Sequence, residues 1–183
     1  VPQNNAFPYY IVGDYFPGSG RNTILMVADA GGNIGWKKKY SNSPVYSFST
    51  DLEALPNGDL LLTGGAVFRA DNSGQVYNAF GIEDPVLFSF QDVAQRTGGG
   101  FDAIGSEGGN FTSQLIKLDQ DYREVWQIAI PNLQGVSQVW SNGNDIYVTA
   151  SRSIGPTIQG VLLKFRDNGT SPAYLWTKYL KLN

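Results

Sequence analysis

A fourfold repeat constrains the fold of this chain more than any other feature. In each copy an apolar strand leads to an acidic turn residue, and a large aromatic residue follows the turn. The acidic residues recur at intervals of 42, 48 and 48 residues and are Asp29, Asp71, Asp119 and Asp167. The aromatic residues are Trp36, Tyr77, Trp126 and Trp176. A period of this length indicates an array of similar units along the 183 residues.

Each repeat contains a set of short strands. A turn rich in Gly and Asn leads into an apolar or β-branched run in segments 55–64, 96–105 and 141–150. Further apolar strands are predicted in segments 45–50, 86–90 and 136–140. Helical periodicity competes with this pattern nowhere in the sequence.

Four strands in about 46 residues are typical of a β-propeller blade. The sequence therefore predicts an all-β propeller of about four blades of four antiparallel strands, at residues 1–42, 43–82, 83–131 and 132–183. A single blade cannot bury both of its faces, so neighbouring blades cover each other. We expect the recurrent aromatic residue to fill the space between them.

The two ends of the repeat are incomplete. Residues 1–3 align with 55–57, so the first blade is expected to lack most of its innermost strand. The last strand ends near Leu180, and three residues follow it. Two interpretations remain: the favoured one is a portion of a longer propeller, and the other is a complete chain. In a complete chain, the open blade edges would pair with a protein partner or a second copy.

Composition excludes several classes of function. The chain has no cysteine and no histidine, which removes disulfides, thiolate nucleophiles and His-dependent triads. Its 13 basic and 16 acidic residues leave a net charge of −3, with no basic stripe for nucleic acid. No apolar run has the roughly 20 residues of a membrane helix. The enrichment in Gly, Asn, Ser and aromatic residues favours a secreted β protein.

One recurring motif resembles a known group of proteins. Segment 28–40 combines an acidic Gly-rich turn with Trp-Lys-Lys-Lys-Tyr, and segments 117–126 and 175–179 repeat parts of it. This pattern resembles the repeats of bacterial secreted β-propellers, within the quinoprotein-like superfamily in the broad sense. The resemblance implies a propeller fold outside the cytoplasm, secreted or at the cell surface. The spacing from Asp to Trp departs from the quinoprotein motif, and no cofactor is expected.

Several segments could carry chemistry, and each also has a structural interpretation. Segments 71–74 and 119–121 faintly resemble calcium loops, but Asp and Asn at a hairpin favour a turn. The adjacent carboxylates Glu83 and Asp84 are interpreted as a solvated loop, because a glycosidase pair must face one bond. The run Lys37-Lys38-Lys39 is interpreted as protection of an outer strand edge.

The remaining candidates concern sugars and phosphates. Sugar stacking and core packing compete for a set of aromatic residues, with core packing favoured: Tyr9, Tyr10, Tyr15, Phe16, Tyr40 and Tyr46. Segments 110–112 and 168–170 match the N-glycosylation pattern, which matters only in a eukaryotic secretory host. The run 97–100 is interpreted as a turn, because it lacks the Lys-Ser/Thr of a phosphate loop.

These observations favour a non-enzymatic interaction module that binds a protein partner through loops or open blade edges. The alternative is a lectin-like propeller that binds carbohydrate between blades. Part of a propeller enzyme is the least favoured hypothesis, because the commonest general base is missing. No catalytic, cofactor or metal residue is assigned from the sequence.

Overall fold

The fold is built from β-strands. The computed structural model describes residues 9–15, 22–40, 51–80, 88–107, 112–133 and 135–180, which contain 15 strands. The strands are β1 (Tyr9–Tyr15), β2 (Asn22–Ala28), β3 (Ile34–Tyr40), β4 (Asp51–Ala54), β5 (Leu60–Thr63), β6 (Val67–Ala70), β7 (Val76–Phe80), β8 (Phe88–Gln95), β9 (Phe101–Glu107), β10 (Thr112–Leu118), β11 (Glu124–Ile130), β12 (Gly135–Asn142), β13 (Asp145–Ile154), β14 (Thr157–Asp167) and β15 (Pro172–Tyr179). Within these residues, no helix is long and apolar enough to cross a membrane.

The strands form four antiparallel sheets, each made of strands that are consecutive in the chain. The chain divides into two compact units, residues 1–86 and 87–183. The first unit holds sheet 1 (β1–β3) and sheet 2 (β4–β7), and the second holds sheet 3 (β8–β11) and sheet 4 (β12–β15). The prediction of an all-β fold made of repeated antiparallel sheets is confirmed. The segment before β1, where the missing innermost strand was predicted, lies outside the described residues.

The acidic residue of each repeat begins the turn between the last two strands of its sheet. In sheets 1, 2 and 3, the amides of Asn33, Gln75 and Arg123 donate to the carboxylates of Asp29, Asp71 and Asp119 at 2.8, 2.9 and 2.9 Å. In sheets 1 and 2, the residue three places after the aspartate is a glycine with positive φ. In sheet 3 it is Tyr122, with a φ of 63°. Its ring packs against Phe101 with centroids 4.7 Å apart, and this contact holds the strained backbone in place.

The last strand of each sheet contains a β-bulge, which in three sheets sets the direction of a tryptophan. In sheets 1, 3 and 4 the bulge directly precedes Trp36, Trp126 and Trp176, which pair with Val27, Lys117 and Lys164. In sheet 2 the bulged residue is Tyr77, and Asn78 pairs with Arg69. The alignment of Tyr77 with the tryptophans is therefore wrong by one residue. Its side chain is exposed and donates a hydrogen bond to Asp59 at 2.5 Å.

In the first unit, sheets 1 and 2 pack face to face. Leu25 of sheet 1 joins a cluster with Leu60, Leu62, Phe68 and Ala70 of sheet 2, and Trp36 and Tyr40 pack against it. The hydroxyl of Tyr40 donates to the carbonyl oxygen of Gly74 at 2.7 Å. The tryptophan of sheet 1 thus lies between two sheets, as the repeat predicts.

Sheets 3 and 4 pack in the same way in the second unit. Trp126 of β11 is buried in a cluster that includes Val139, Ile146, Val148 and Leu163 of sheet 4. The amide of Val139 also donates to Asp92 of β8 at 2.7 Å. A tryptophan again fills the space between two sheets.

The glycine-rich turn between β8 and β9 offers a test of this backbone. Gly98 and Gly100 both have positive φ, but a Cβ would meet open space at Gly98 and lie 2.5 Å from the carbonyl oxygen of Leu118 at Gly100. Alanine at either position strains the backbone by about 1–2 kcal/mol. We expect Gly100→Ala to cost at least about 1 kcal/mol more than Gly98→Ala in denaturant unfolding, because of the additional clash. Equal losses would contradict the register of this turn.

Candidate functional site

A cluster of buried charges joins sheets 3 and 4 and is called the charge cluster below. It consists of Arg96, Asp102, Lys117, Ser141 and Asp167. Asp102 is completely buried, and both of its oxygens accept from the same Arg96 nitrogen at 2.9 and 2.8 Å. The hydroxyl of Ser141, from sheet 4, also donates to Asp102. Arg96 and Asp102 thereby connect the first hairpin of sheet 3 to β12.

Asp167 is the acidic turn residue of the fourth repeat, and its carboxylate contacts sheet 3 as well as its own turn. One oxygen accepts from Lys117 at 2.6 Å and lies 2.9 Å from the guanidinium of Arg96. The other accepts from the indole nitrogen of Trp126 at 3.1 Å and from the amide of Gly169 at 2.9 Å. The aspartate that clasps the turn in three repeats here holds two sheets together.

The pKa values of the two carboxyl groups in the charge cluster are shifted in opposite directions. Burial raises the pKa of Asp102 above its usual value, although Ser141 and Arg96 oppose this shift. Burial also acts to raise the pKa of Asp167, but hydrogen bonds from Lys117, Gly169 and Trp126 and the charge of Arg96 outweigh it. The net pKa of Asp167 is therefore lowered. Hydrogen-bond donors surround both carboxylates, and both are buried away from solvent. The charge cluster therefore acts as a structural clamp.

The same repeat position carries a simpler ion pair in sheets 2 and 4. Arg69 contacts Asp59 at 2.5 Å, and Lys164 contacts Asp145 at 2.6 Å, each within its own sheet. Lys117 is the equivalent residue of sheet 3, where Gly100 takes the place of the aspartate. Lys117 therefore finds its carboxylate on the neighbouring sheet.

The outer face of sheet 4 presents a row of four directly paired residues, called the aromatic row below. The row crosses all four strands and consists of Trp140, Tyr147, Lys164 and Trp176. The rings of Trp140 and Tyr147 are stacked, with centroids 5.1 Å apart and planes at 9°. Tyr147 meets Trp176 edge to face at 6.4 Å. Trp140 is 41% exposed, so the row presents an aromatic surface that is open to solvent at its β12 end.

Cations lie within and beside the aromatic row. The ammonium group of Lys178 lies 5.2 Å from the Trp176 ring centroid, and that of Lys164 lies 5.1 Å from the Tyr147 centroid. Arg166 is more than half exposed and pairs with Asp145 at 2.9 Å. Aromatic residues with Arg are the composition that protein interfaces favour.

A second surface feature is a half-open cavity of about 330 Å³ between sheets 3 and 4. Ile128 and Ile130 line it from β11, and Leu163, Phe165, Tyr174 and Thr177 line it from sheet 4. The hydroxyl of Tyr174 donates a hydrogen bond to the hydroxyl of Thr177 at 2.8 Å, so these two polar groups of the lining bind each other. The cavity therefore offers mainly apolar contact.

The structure locates several of the candidates from the sequence. Segments 71–74 and 119–121 are tight turns, in which the carboxylates of Asp71 and Asp119 accept backbone amides. Among the described residues, no group of three acidic side chains could hold a metal ion. Segment 97–100 is a turn closed by a hydrogen bond from the Arg96 amide to the Gly100 carbonyl at 3.0 Å. Residues 83–84 lie outside the described residues.

The surface candidates divide between exposed and packed positions. The run Lys37-Lys38-Lys39 lies exposed on β3, an edge strand of sheet 1 as described. Tyr10 and Tyr40 pack on the core of the first unit, whereas Tyr9 and Tyr15 are exposed. Phe16, Tyr46 and the sequon 110–112 include positions outside the described residues. The sequon at 168–170 forms an exposed turn after β14.

Comparison with known protein families gave no match, and comparison with curated protein sequences gave none either. The assignment of function therefore depends on the geometry of the chain. The sequence interpretation missed the aromatic row, since Trp140 and Tyr147 have no counterparts in the repeat motif. The pairing of 140 with 147 could have been inferred from a two-residue Gly-Asn turn at 143–144.

Trp126 and Trp176 form a matched pair for measuring the contribution of the buried ring. Trp126→Ala should reduce the free energy of unfolding by about 3–5 kcal/mol, because it leaves a cavity between two sheets and removes a donor to Asp167. Trp176→Ala should cost clearly less, because the outer face of sheet 4 remains solvated. Denaturant unfolding measures both losses. A loss below about 1 kcal/mol for Trp126→Ala would contradict its role between the sheets.

The charge cluster predicts opposite pH effects for its two carboxyl groups. The lowered pKa of Asp167 gives stability that is complete above the unfolded-state pKa of about 3.9 and is lost as the pH falls through the folded-state pKa. The raised pKa of Asp102 gives stability that is present below about pH 3.9 and is lost as the pH rises through the folded-state value. Asp167→Asn should therefore make the free energy of unfolding fall less steeply as the pH is lowered. Asp102→Asn should make it fall more steeply.

Denaturant unfolding from pH 2 to 7 measures these slopes, with Asp121→Asn as the exposed control (Asp121 is 60% exposed). At neutral pH, Asp167→Asn should cost about 3–5 kcal/mol, because two cations lose a buried partner. Asp121→Asn should leave both the stability and the slope unchanged. The same slope in both cluster variants would contradict the opposite titration of the two groups.

Proposed function

We propose that the chain is a non-enzymatic interaction module that binds a protein partner through the outer face of sheet 4. The supporting observation is the aromatic row, an open surface of stacked rings edged by cations. Exposed aromatic surfaces of this kind are typical of interaction sites in soluble proteins. The proposal places the binding surface on the face of a sheet, whereas the sequence predicted binding through loops or open blade edges.

The packing inside the second unit supports a protein as the occupant. The face of sheet 3 that carries Trp126 and Lys117 is covered by sheet 4, which supplies Asp167 to both of them. Trp176 and Lys164 occupy the same two register positions on the open face of sheet 4. A β-sheet is therefore the kind of surface that such a face accommodates.

The proposal retains two broader expectations from the sequence, a propeller-type array of sheets and a secreted or cell-surface location. Successive sheets with a tryptophan between them are the packing that a propeller-type array would use. The composition and the resemblance to bacterial secreted β-propellers favour a secreted or cell-surface location. An intact denatured mass of the natural protein tests whether the array continues beyond 183 residues.

A photoreactive residue on the aromatic row tests the proposed function. Benzoylphenylalanine in place of Trp140 should form a discrete protein adduct when it is irradiated in an extract of the source cells. The same residue in place of Arg123, whose side chain is 77% exposed in the turn of sheet 3, serves as the control. The adduct should be specific to position 140 and should be lost with the additional change Trp176→Ser. Equal adducts at both positions would contradict the proposal.

A second candidate function is carbohydrate binding by the same face. The flat, exposed ring of Trp140, stacked on Tyr147, is a surface on which a sugar ring could lie. This alternative predicts that neutral oligosaccharides change the tryptophan fluorescence of the chain and that Trp140→Ser abolishes the change. Saturable binding of sugar, with no protein adduct at position 140, would favour this function over the first.

A further inference from the structure

The sheets have two unlike faces, and both packed pairs bring unlike faces together. The tryptophan face carries the tryptophan of the last strand, and the aliphatic face is the opposite one. In the first unit the tryptophan face of sheet 1 covers the aliphatic face of sheet 2. In the second unit the tryptophan face of sheet 3 covers the aliphatic face of sheet 4. Sheet packing in this chain therefore has a direction.

Two faces outside these packed pairs, one of each kind, carry exposed side chains among the described residues. The tryptophan face of sheet 4 carries the aromatic row. The aliphatic face of sheet 1 carries Tyr9, Ile11 and Tyr15, which are 55%, 43% and 46% exposed. Ile24 and Met26 lie on the same face by register, opposite Gly13 and Ile11. The chain thus offers both halves of an interface that it already forms twice.

We infer that the aromatic row docks onto the aliphatic face of sheet 1 of a second copy of this chain. This inference rests on the proposed function and names its partner. Tyr9 and Ile11 stand at the register positions of Ile146 and Val148, and Met26 stands at that of Leu163. These three residues of sheet 4 form the surface on which sheet 3 packs. Sheet 1 of the second copy therefore matches the surface that a tryptophan face already covers.

Opposite charges meet in this arrangement. In the first unit, Lys38 and Trp36 lie against the turn at Gly74, because a Cβ there would be 2.9 Å from both side chains. The hydrogen bond from Ser73 and, to a smaller extent, the charge of Lys38 lower the pKa of Asp71 in that turn. Lys178 is the residue of sheet 4 that corresponds to Lys38, two places after its tryptophan.

The corresponding acid in the second copy is Asp29. Hydrogen bonds from Asn33 lower the pKa of Asp29, so its carboxylate is charged at neutral pH. In the docked pair, Lys178 of one copy faces the turn at Asp29 of the other copy. Lys38 faces the turn at Asp71 in the same way within the first unit. An ion pair between the two copies follows from this correspondence.

One pair of like charges opposes the docking. Ile128 and Thr177 line the same cavity between sheets 3 and 4. Their counterparts in the proposed interface are Lys178 of one copy and Lys37 of the other. Two ammonium groups near one cavity weaken the association, which makes it reversible and dependent on concentration. Removing the charge of Lys37, which takes no part in the ion pair with Asp29, should therefore tighten it.

The interface joins different faces of the two copies, so it is heterologous. After two copies dock, the pair as a whole keeps one free face of each kind, so further copies add until a ring closes or a filament grows. A population larger than a dimer distinguishes this arrangement from an isologous pair.

Sedimentation velocity over a range of protein concentrations tests the inference. The unaltered chain should associate beyond the dimer. Asp29→Lys and Lys178→Glu should each weaken association at least tenfold, and the double variant should restore most of it. Lys37→Thr should tighten association severalfold, whereas Arg123→Glu, in an exposed turn of sheet 3, should leave it unchanged. Far-UV circular dichroism confirms that each variant folds.

A cross-link identifies the chains that meet. The sequence has no cysteine, so Ala30→Cys with Lys178→Cys supplies two unique sites for a short bismaleimide. A ladder of covalent multimers is expected. A chain that stays monomeric in concentrated solution, or a cross-link within one chain only, would overturn the second-copy inference. Neither result overturns the proposed function, because an adduct at position 140 with a protein other than this chain would still support it.

Discussion

The packing of the second unit depends on the carboxylate of Asp167, because four side- and main-chain donors from two sheets converge on it. Each donor alone would contribute little, and the buried cations would be costly without the acid. Lys117, Arg96 and Trp126 therefore require sheet 4 in one position. The apolar contacts around Trp126 supply most of the packing area, and the charges select the register in which that area is buried.

The aromatic row follows from the same repeat with a different neighbour. Lys164 satisfies its charge with Asp145 inside sheet 4, so its position does not demand a carboxylate from another sheet. Trp176 keeps the bulge and direction of Trp126 but faces solvent on one side. An identical local geometry thus produces a structural clamp on one sheet and an exposed aromatic surface on the next. The difference lies in what covers the face.

Local features of the sequence predicted much of this fold, because turns and strands depend on near neighbours. Asp71 and Asp119 turn the chain where the repeat indicated, and Trp126 lies between sheets as expected. Tyr77 was misaligned because the aromatic type was followed instead of the spacing: the seven residues from Asp119 to Trp126 correspond in the second repeat to Asn78, not Tyr77. The role of Asp167 and the exposure of Trp140 depend on how whole sheets pack, which spacing along the chain does not reveal. Tyr122 could not be foreseen either, since its strained φ depends on a ring contact with Phe101.

The bonds within each sheet are local in the chain, whereas the bonds between sheets join distant residues. This difference has a consequence for the order of folding. Every sheet is made from strands that follow one another, so its hydrogen bonds form between near neighbours in the chain. The bonds that hold sheet 3 on sheet 4 join residues 41 and 50 positions apart. Closing such loops is slow compared with forming hairpins. We therefore expect folding of the second unit to end with the docking of its two sheets, and the burial of Asp167 to belong to that last step.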